Sequence, residues 1–286
     1  MSAVSIGPAE FEAFRGLIRD LTGISLDSSK VYLVEARLSS LVKESGCSSF
    51  GELLAKVRSD AGGDLPRQVI NRITTQETSF FRDTAPFEML KFKIIPDLID
   101  ARRRPNYPQA RLPIRIWSAA CSTGQEVYSI LIALHEALGD FGNYDIRVLG
   151  TDISEQAIAK ASYGTYTEME LERGMPETKL ARYFSKSDKL WKIRDEIRAL
   201  ASFRQFNLFE NLAQLGRWDI VFCRNVAIYF SDEDKHSLFS RIASVMEADG
   251  GLIIGSTESL LGVCPQFAAR RYLRSVFYQR AVSGNQ

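Results

Sequence analysis

Apolar residues at Phe11, Phe14, Leu17, Ile18 and Leu21 recur at i, i+3, i+4 spacing, and Val31, Val34, Leu38, Leu41 and Val42 repeat it. That is the period of helices burying one face. Gly23, Gly46 and the Gly62-Gly63 pair fall where such helices would end. The pattern predicts short helices from residue 9 to about 82, and hence an all-α N-terminal domain over residues 1–84. Pro86 is placed to open a longer helix through Asp100, followed by Arg102-Arg103-Arg104 and a stretch holding Pro105, Pro108 and Pro113. Residues 85–113 therefore read as a linker helix and loop, with the arginines as solvated cations at a helix C-terminus.

From Ile114 the pattern changes. Short β-branched runs at Ile114–Trp117, Ile146–Gly150, Trp218–Phe222 and Leu252–Gly255 alternate with helical stretches, the first carrying Val127, Ile130, Leu131, Leu134 and Leu138. Runs apolar on both faces fit central parallel strands covered by helices, so residues 114–286 are expected to form an α/β domain. Leu190–Arg194 and Ile197–Phe206 flank Asp195-Glu196 like an antiparallel hairpin, which suggests an insertion at about residues 163–200. The alternating run Tyr272–Tyr278 is expected to be one final antiparallel strand.

With 286 residues, 45% hydrophobic and 25% charged, the chain has the composition of a soluble globular protein, and its net charge of +1 gives no reason to expect nucleic acid as a partner. The start MSAVSIGPAEFEAF lacks a basic and apolar leader pattern, and no apolar run is long enough to span a bilayer. A cytoplasmic location without membrane insertion is expected. Cys47, Cys121, Cys223 and Cys264 form no C-x-x-C pair, and His135 and His236 are the only histidines. This argues against a metal site and against Ser-His-Asp or Cys-His catalysis.

The residues with the most chemical content follow the predicted strands. Trp117-Ser118-Ala119-Ala120-Cys121-Ser122-Thr123-Gly124-Gln125-Glu126 runs from a strand through small residues into a helix, where backbone can approach a nucleotide-like ligand. It carries neither the glycine triplet of a dinucleotide fingerprint nor the Lys-Ser/Thr of a P-loop. Asp152 ends the second strand, where an acid can accept both hydroxyls of a ribose; it could instead cap the next helix, although Ser154 fills that role equally well. Glu126 either favours its helix dipole or faces a cation. A loop with Glu126 and Asp152 suits the sulfonium and ribose of S-adenosylmethionine better than an anionic pyrophosphate. Arg224-Asn225 follow a buried strand and are site candidates; Tyr229 is either a site residue or packed with its hydroxyl at the surface. In Thr74–Asp83, hydroxyls and amides surround Phe80 and Phe81, which by composition alone read as a wedge between domains.

Four segments together, TTQETSFFRD, IWSAACSTGQEVYSI, LGTDIS and DIVFCRNVAIYF, resemble the CheR-type chemotaxis protein methyltransferases, enzymes that methylate glutamate side chains on chemoreceptors. The resemblance implies a class I S-adenosylmethionine-dependent methyltransferase domain, Rossmann-like, with a small antiparallel β insertion and a preceding all-α domain. It implies cofactor contacts from Gln76, Thr78, Arg82, Glu126, Asp152, Asn207, Leu208, Arg224 and Asn225, with Gln76 standing where the family usually has Asn. Arg82 and Tyr229 match the positions that orient the substrate carboxylate, and Arg37 and Lys43 those that meet the receptor. The implied products are a glutamyl 5-O-methyl ester and S-adenosylhomocysteine, and the implied partner is the cytoplasmic domain of a methyl-accepting receptor. The short turn at Ser185-Lys186-Ser187-Asp188 argues against tethering to a receptor's C-terminal peptide, and a monomer is expected. The Asp/Asn-Pro-Pro-Tyr segment of amino-group methylating enzymes is absent.

Overall fold

The computed structural model describes residues 5–103 and 111–281, so Arg104, Pro105 and Pro108 lie outside the described residues. Four helices come first, α1 (Pro8–Thr22), α2 (Val31–Glu44), α3 (Phe50–Ser59) and α4 (Asp64–Ile73). Their predicted apolar faces meet in a separate core that includes Phe14, Ile18, Val34, Leu38 and Phe50. Ser49 accepts the Glu52 N–H at the start of α3, a side-chain cap of the expected kind.

The linker helix forms as α5 (Ala85–Met89) and α6 (Ile95–Arg102), joined by a π-helical turn at Leu90–Ile94. Arg102 is not solvated. It is buried, donating to Asp219 and Asp249 and to the Pro113 carbonyl. Burial alone would make its charge less favourable, but the two carboxylates outweigh that and raise its pKa.

The α/β part contains, in chain order, β1 (Leu112–Ala119), α7 (Gln125–Leu138), β2 (Tyr144–Asp152), α8 (Glu155–Tyr163), β3 (Thr165–Thr167), α9 (Glu168–Glu172), α10 (Glu177–Tyr183), β4 (Phe184–Ser187), β5 (Leu190–Ile193), α11 (Asp195–Arg198), β6 (Ala201–Gln205), β7 (Trp218–Cys223), α12 (Asp232–Val245), β8 (Met246–Ile254), β9 (Phe267–Tyr272) and β10 (Ser275–Arg280). Seven strands make the main sheet in the order β6-β2-β1-β7-β8-β10-β9. The first five run parallel, β10 pairs antiparallel with β8, and β9 pairs antiparallel with β10. From β1 the chain steps outward to β2 and β6, then returns to β7 on the other side of β1. This reversal opens a crevice at the carboxyl ends of β1 and β7.

Two expectations about strands are corrected. The hairpin was expected to turn at Asp195-Glu196, but those residues begin α11, and β5 instead pairs with β4 and β3 in a three-stranded antiparallel sheet. Ala201–Gln205 belongs to the main sheet, parallel to β2. The run at Tyr272–Tyr278 is not one strand: Tyr272 ends β9, a tight turn follows with Leu273 at a φ of 51°, and Ser275–Tyr278 belong to the final antiparallel strand β10, with Tyr272 opposite Ser275. Phe80 and Phe81 were expected as a wedge between the domains, but both join the core of the α/β part: Phe80 is fully buried, edge-on to Tyr166 at 4.9 Å and to Phe184 at 5.6 Å, so the junction segment packs against the small sheet.

Candidate active site

At the carboxyl edge of the main sheet lies an open cavity of about 940 Å³, counted out into the solvent at its mouth. Gln76, Thr78, Arg82, Glu126, Asp152, Asn207, Leu208, Arg224, Asn225 and Tyr229 all line it. The structure thus brings together residues from both domains that are far apart in sequence. Arg37 and Lys43 do not line it. Arg37 on α2 donates to the Ile73 carbonyl and, at 3.1 Å, to the Thr75 hydroxyl, while Lys43 is exposed on the same helix.

The loop after β1 approaches the cavity through Ala120, Cys121 and Ser122. Ala120 and Ser122 have φ of 57° and 50°, left-handed values that cost a non-glycine residue about 1–3 kcal/mol and gather at functional sites. Gly124 serves packing rather than ligand approach. A Cβ there would sit 2.8 Å from the Ala161 Cβ, and the φ of 93° favours glycine in any case.

Asp152 is buried at the end of β2. Its two oxygens accept the N–H groups of Ser122 and Ser154, each at 2.9 Å. Burial pushes its carboxyl above the usual range, and the two N–H donors pull partly the other way. Ser154, by accepting the Ala157 N–H, is the cap of α8, so Asp152 is not needed for that role. The Cys121 thiol on the cavity wall is pushed well up by burial and by the charges of Asp152 and Glu126, which leaves it protonated and unreactive.

Glu126 accepts the Ser118 hydroxyl at 2.7 Å and Arg224 Nη1 at 2.8 Å. Arg224 also donates through Nη2 to Asp83 at 2.7 Å and to the Arg82 carbonyl at 2.9 Å. Its side chain is 2% exposed, so its charge is balanced inside the protein by two carboxylates. Arg82, by contrast, has no carboxylate partner among the described residues; its one hydrogen bond goes to the Glu77 carbonyl at 3.1 Å. Tyr229 also lines the cavity; its hydroxyl makes no hydrogen bond to a described protein group, while its carbonyl accepts the Ser25 N–H at 2.8 Å.

Asn207 is occupied by structure: its amide donates to the Leu21 carbonyl at the end of α1 and accepts the Phe209 N–H, both at 3.0 Å. Gln76 accepts the Ser122 hydroxyl at 2.8 Å, so the longer side chain reaches across to the β1 loop. Reasoning from sequence passed over two residues, Asp83 and Glu258. Asp83 directly follows the quoted Arg82, and Glu258 follows a strand end in Gly255-Ser256-Thr257-Glu258, the same placement that singled out Arg224-Asn225.

A reversed-order parallel sheet, a small-residue loop after its first strand, an acid after its second and carboxylates facing an open cavity define a class I S-adenosylmethionine-dependent methyltransferase. The sequence pattern described as "CheR methyltransferase, SAM binding domain" matches residues 76–272, and the pattern "CheR methyltransferase, all-alpha domain" matches residues 9–74. Chemotaxis protein methyltransferase Cher2 of Pseudomonas putida is 39% identical over 280 residues, covering 96% of this chain and 99% of that protein. Chemotaxis protein methyltransferase 1 of Pseudomonas aeruginosa is 39% identical over 262 residues, covering 90% and 92%. The chain belongs to the CheR methyltransferase family. Among solved structures, magnesium protoporphyrin IX methyltransferase of Synechocystis with bound SAM is similar over 84% of this chain and 93% of that chain, at 19% identity and a TM-score of 0.35.

Proposed function

We propose that this chain methylates the γ-carboxylates of glutamates on the cytoplasmic domain of chemoreceptors, using S-adenosylmethionine and yielding a 5-O-methyl ester and S-adenosylhomocysteine. The carrying observation is that one cavity is lined both by the carboxylates Asp152 and Glu126 and by an arginine that lacks a carboxylate partner among the described residues, Arg82, together with Tyr229. The donor set fits the cofactor. Arg224 is already balanced by Glu126 and Asp83, while Asp152 has no cation partner among the described residues and only N–H donors, so this acidic wall suits ribose hydroxyls and a positive charge and leaves Arg82 for the substrate carboxylate.

When bound, S-adenosylmethionine supplies a methyl group made electrophilic by the sulfonium charge. Asp152, with one N–H on each oxygen, keeps acceptor capacity for ribose hydroxyls. Glu126, fixed by Ser118 and Arg224, presents negative charge beside them. Arg82 would hold one oxygen of the substrate carboxylate and Tyr229 would donate to it, leaving the other oxygen to react. A glutamate with an ordinary pKa of about 4.3 is already ionised at neutral pH, so no general base is needed. Neither His135 nor His236 lines the cavity, in keeping with that. Alignment is then the protein's main task, and near-attack positioning can supply several kcal/mol of the barrier.

The same reading divides the chain at 1–84, 85–113 and 114–286, with Arg37 and Lys43 on α2 meeting the receptor and the β insertion at about 163–200. The hairpin turn Asp188-Lys189 adds no length to an edge on which a receptor peptide could lie, so the chain acts untethered, as a cytoplasmic monomer. No helix among the described residues is long and apolar enough to cross a membrane. Transfer of tritium from labelled cofactor to a receptor cytoplasmic domain, released as methanol by base, is the test. Base-stable label would mean another acceptor group, and absence of transfer would mean the chain only binds the cofactor.

A further inference from the structure

The loop after β8 carries a carboxylate that the roles above leave unexplained. Glu258 turns back so that its N–H donates to the Gly255 carbonyl at 3.0 Å. Its Oε2 accepts two backbone N–H groups, those of Asn225 and Gly255, each at 2.8 Å. Gly255 directly follows β8, and Asn225 lies just beyond β7, its neighbour in the sheet. One oxygen therefore ties together the carboxyl edges of two adjacent strands.

The tie acts on a strained residue. Asn225 has a φ of 57°, and a non-glycine residue persists in that conformation only where its surroundings hold it. An acceptor on its own N–H does so directly. Gly255 is matched to the arrangement: a Cβ there would lie 2.5 Å from Glu258 Oε2 and 2.9 Å from Asn225 Nδ2. The second oxygen, Oε1, is shut from solvent with no hydrogen-bond partner in the structure, so Glu258 is held through Oε2. Glu258 itself is not part of the cavity wall, whereas Arg224 and Asn225 are.

We infer that Glu258 is a positioning residue for cofactor binding, which fixes the Arg224-Asn225 turn so that both side chains face the cavity. This rests on the reading of that cavity as the S-adenosylmethionine site. Loss of the carboxylate leaves the Asn225 and Gly255 N–H groups without their acceptor, and the turn is free to relax to right-handed values that swing the Asn225 amide away.

Calorimetric titration of the full chain with S-adenosylhomocysteine provides the test. Glu258→Ala is expected to weaken binding by roughly tenfold or more, the loss expected when two charge-assisted hydrogen bonds disappear. Glu258→Gln keeps an acceptor oxygen and is expected to stay within about threefold of the parent. In steady state, the KM for S-adenosylmethionine rises in Glu258→Ala while kcat at saturation changes much less; a residue that only stabilised the fold would leave the affinity of the folded protein unaltered. Gly255→Ala displaces the carboxylate without removing it and gives the same defect, which keeps the test available if Glu258→Ala does not fold. Folded Glu258→Ala or Gly255→Ala binding within about twofold of the parent overturns the inference. Asn225→Ala separates the two layers. If it too binds like the parent, the cofactor reading of this wall is wrong; if it alone is weakened, only the role of Glu258 is.

Discussion

Replacing Arg224 by Met leaves two carboxylates without their cation, Glu126 on the cavity wall and Asp83 of the junction segment. The magnitude follows from exposure. Asp83 is 35% exposed and can turn to water, so its share is at most about 1 kcal/mol. Glu126 is only 13% exposed and meets an arginine that is 2% exposed, so this contact behaves as a buried pair. Removing one partner of such a pair costs about 3–5 kcal/mol, and the residual exposure of Glu126 places the loss near the lower end. The ligand-free protein should then unfold about 6–12 °C lower, at 2–4 °C per kcal/mol for a chain of this size class. Circular dichroism melting of Arg224→Met, Glu126→Gln and the double variant measures it. Because Glu126→Gln removes the stranded charge, the double variant should recover part of the loss, with a coupling of about 1–3 kcal/mol. A single variant that loses less than about 1 kcal/mol, or a double variant whose loss is the plain sum, would refute the pairing as drawn.

Two further outcomes follow from the geometry. Arg82→Ala should lose about a hundredfold or more in kcat with melting unchanged, because among the described residues the Arg82 guanidinium makes only one hydrogen bond, to a carbonyl; near-parental turnover would remove it from the substrate site. Glu136 on α7 joins Lys91 of the linker helix, at 3.1 Å, to Lys179 of α10; burial alone would raise its carboxyl, but the two lysines hold it below its ordinary 4.5. A depressed carboxyl contributes stability above 4.5 and loses it as pH falls through the lower folded value, so Glu136→Gln should cost about 1 kcal/mol at pH 7 and progressively less as pH falls below 4.5. A melting difference that stays constant with pH would show that the lysines do not act through that charge.

What the pattern of residues predicted well was what burial dictates. The four central strands are apolar on both faces, and a sheet covered by helices is the arrangement that hides both. β6 escaped because it is an edge strand, only partly covered along Ala201–Gln205, and half-exposed alternation looks like a hairpin arm until its partner is known. The same ambiguity merged the ends of β9 and β10, since alternation continues through a tight turn. Arg102 was misjudged for a different reason: at the end of a helix a cation has a sufficient local explanation, and its real partners, Asp219 and Asp249, lie 117 and 147 residues further on. Site residues were legible where a polar side chain directly follows a buried strand. Glu258 had that signal, four residues beyond β8, and was passed over, whereas Asp83 had none, because its partner Arg224 is brought near only by the folded chain.

The bonds around the cavity also bear on why the helical domain belongs to the enzyme rather than riding on it. Among the described residues, four of the five loops at the carboxyl ends of the parallel strands, all but the one after β8, are tied to the residues that precede the sheet: Ser122 to Gln76, Ser154 to Asn71, Asn207 to the Leu21 carbonyl, and the Tyr229 carbonyl to the Ser25 N–H. Arg224 adds Asp83 and the Arg82 carbonyl. Asn207 shows the consequence most plainly, because its side chain is engaged with α1 and what it can offer the cavity is its position and backbone. Such polar ties are individually worth about 0.5–1.5 kcal/mol, too little to bind two domains alone, but they act on loops whose strained turns at Ala120, Ser122 and Asn225 need an external hold. Removing the junction segment would therefore disturb both the Arg224 wall and the rest of the cavity, since it takes Arg224's second carboxylate away along with Arg82 itself.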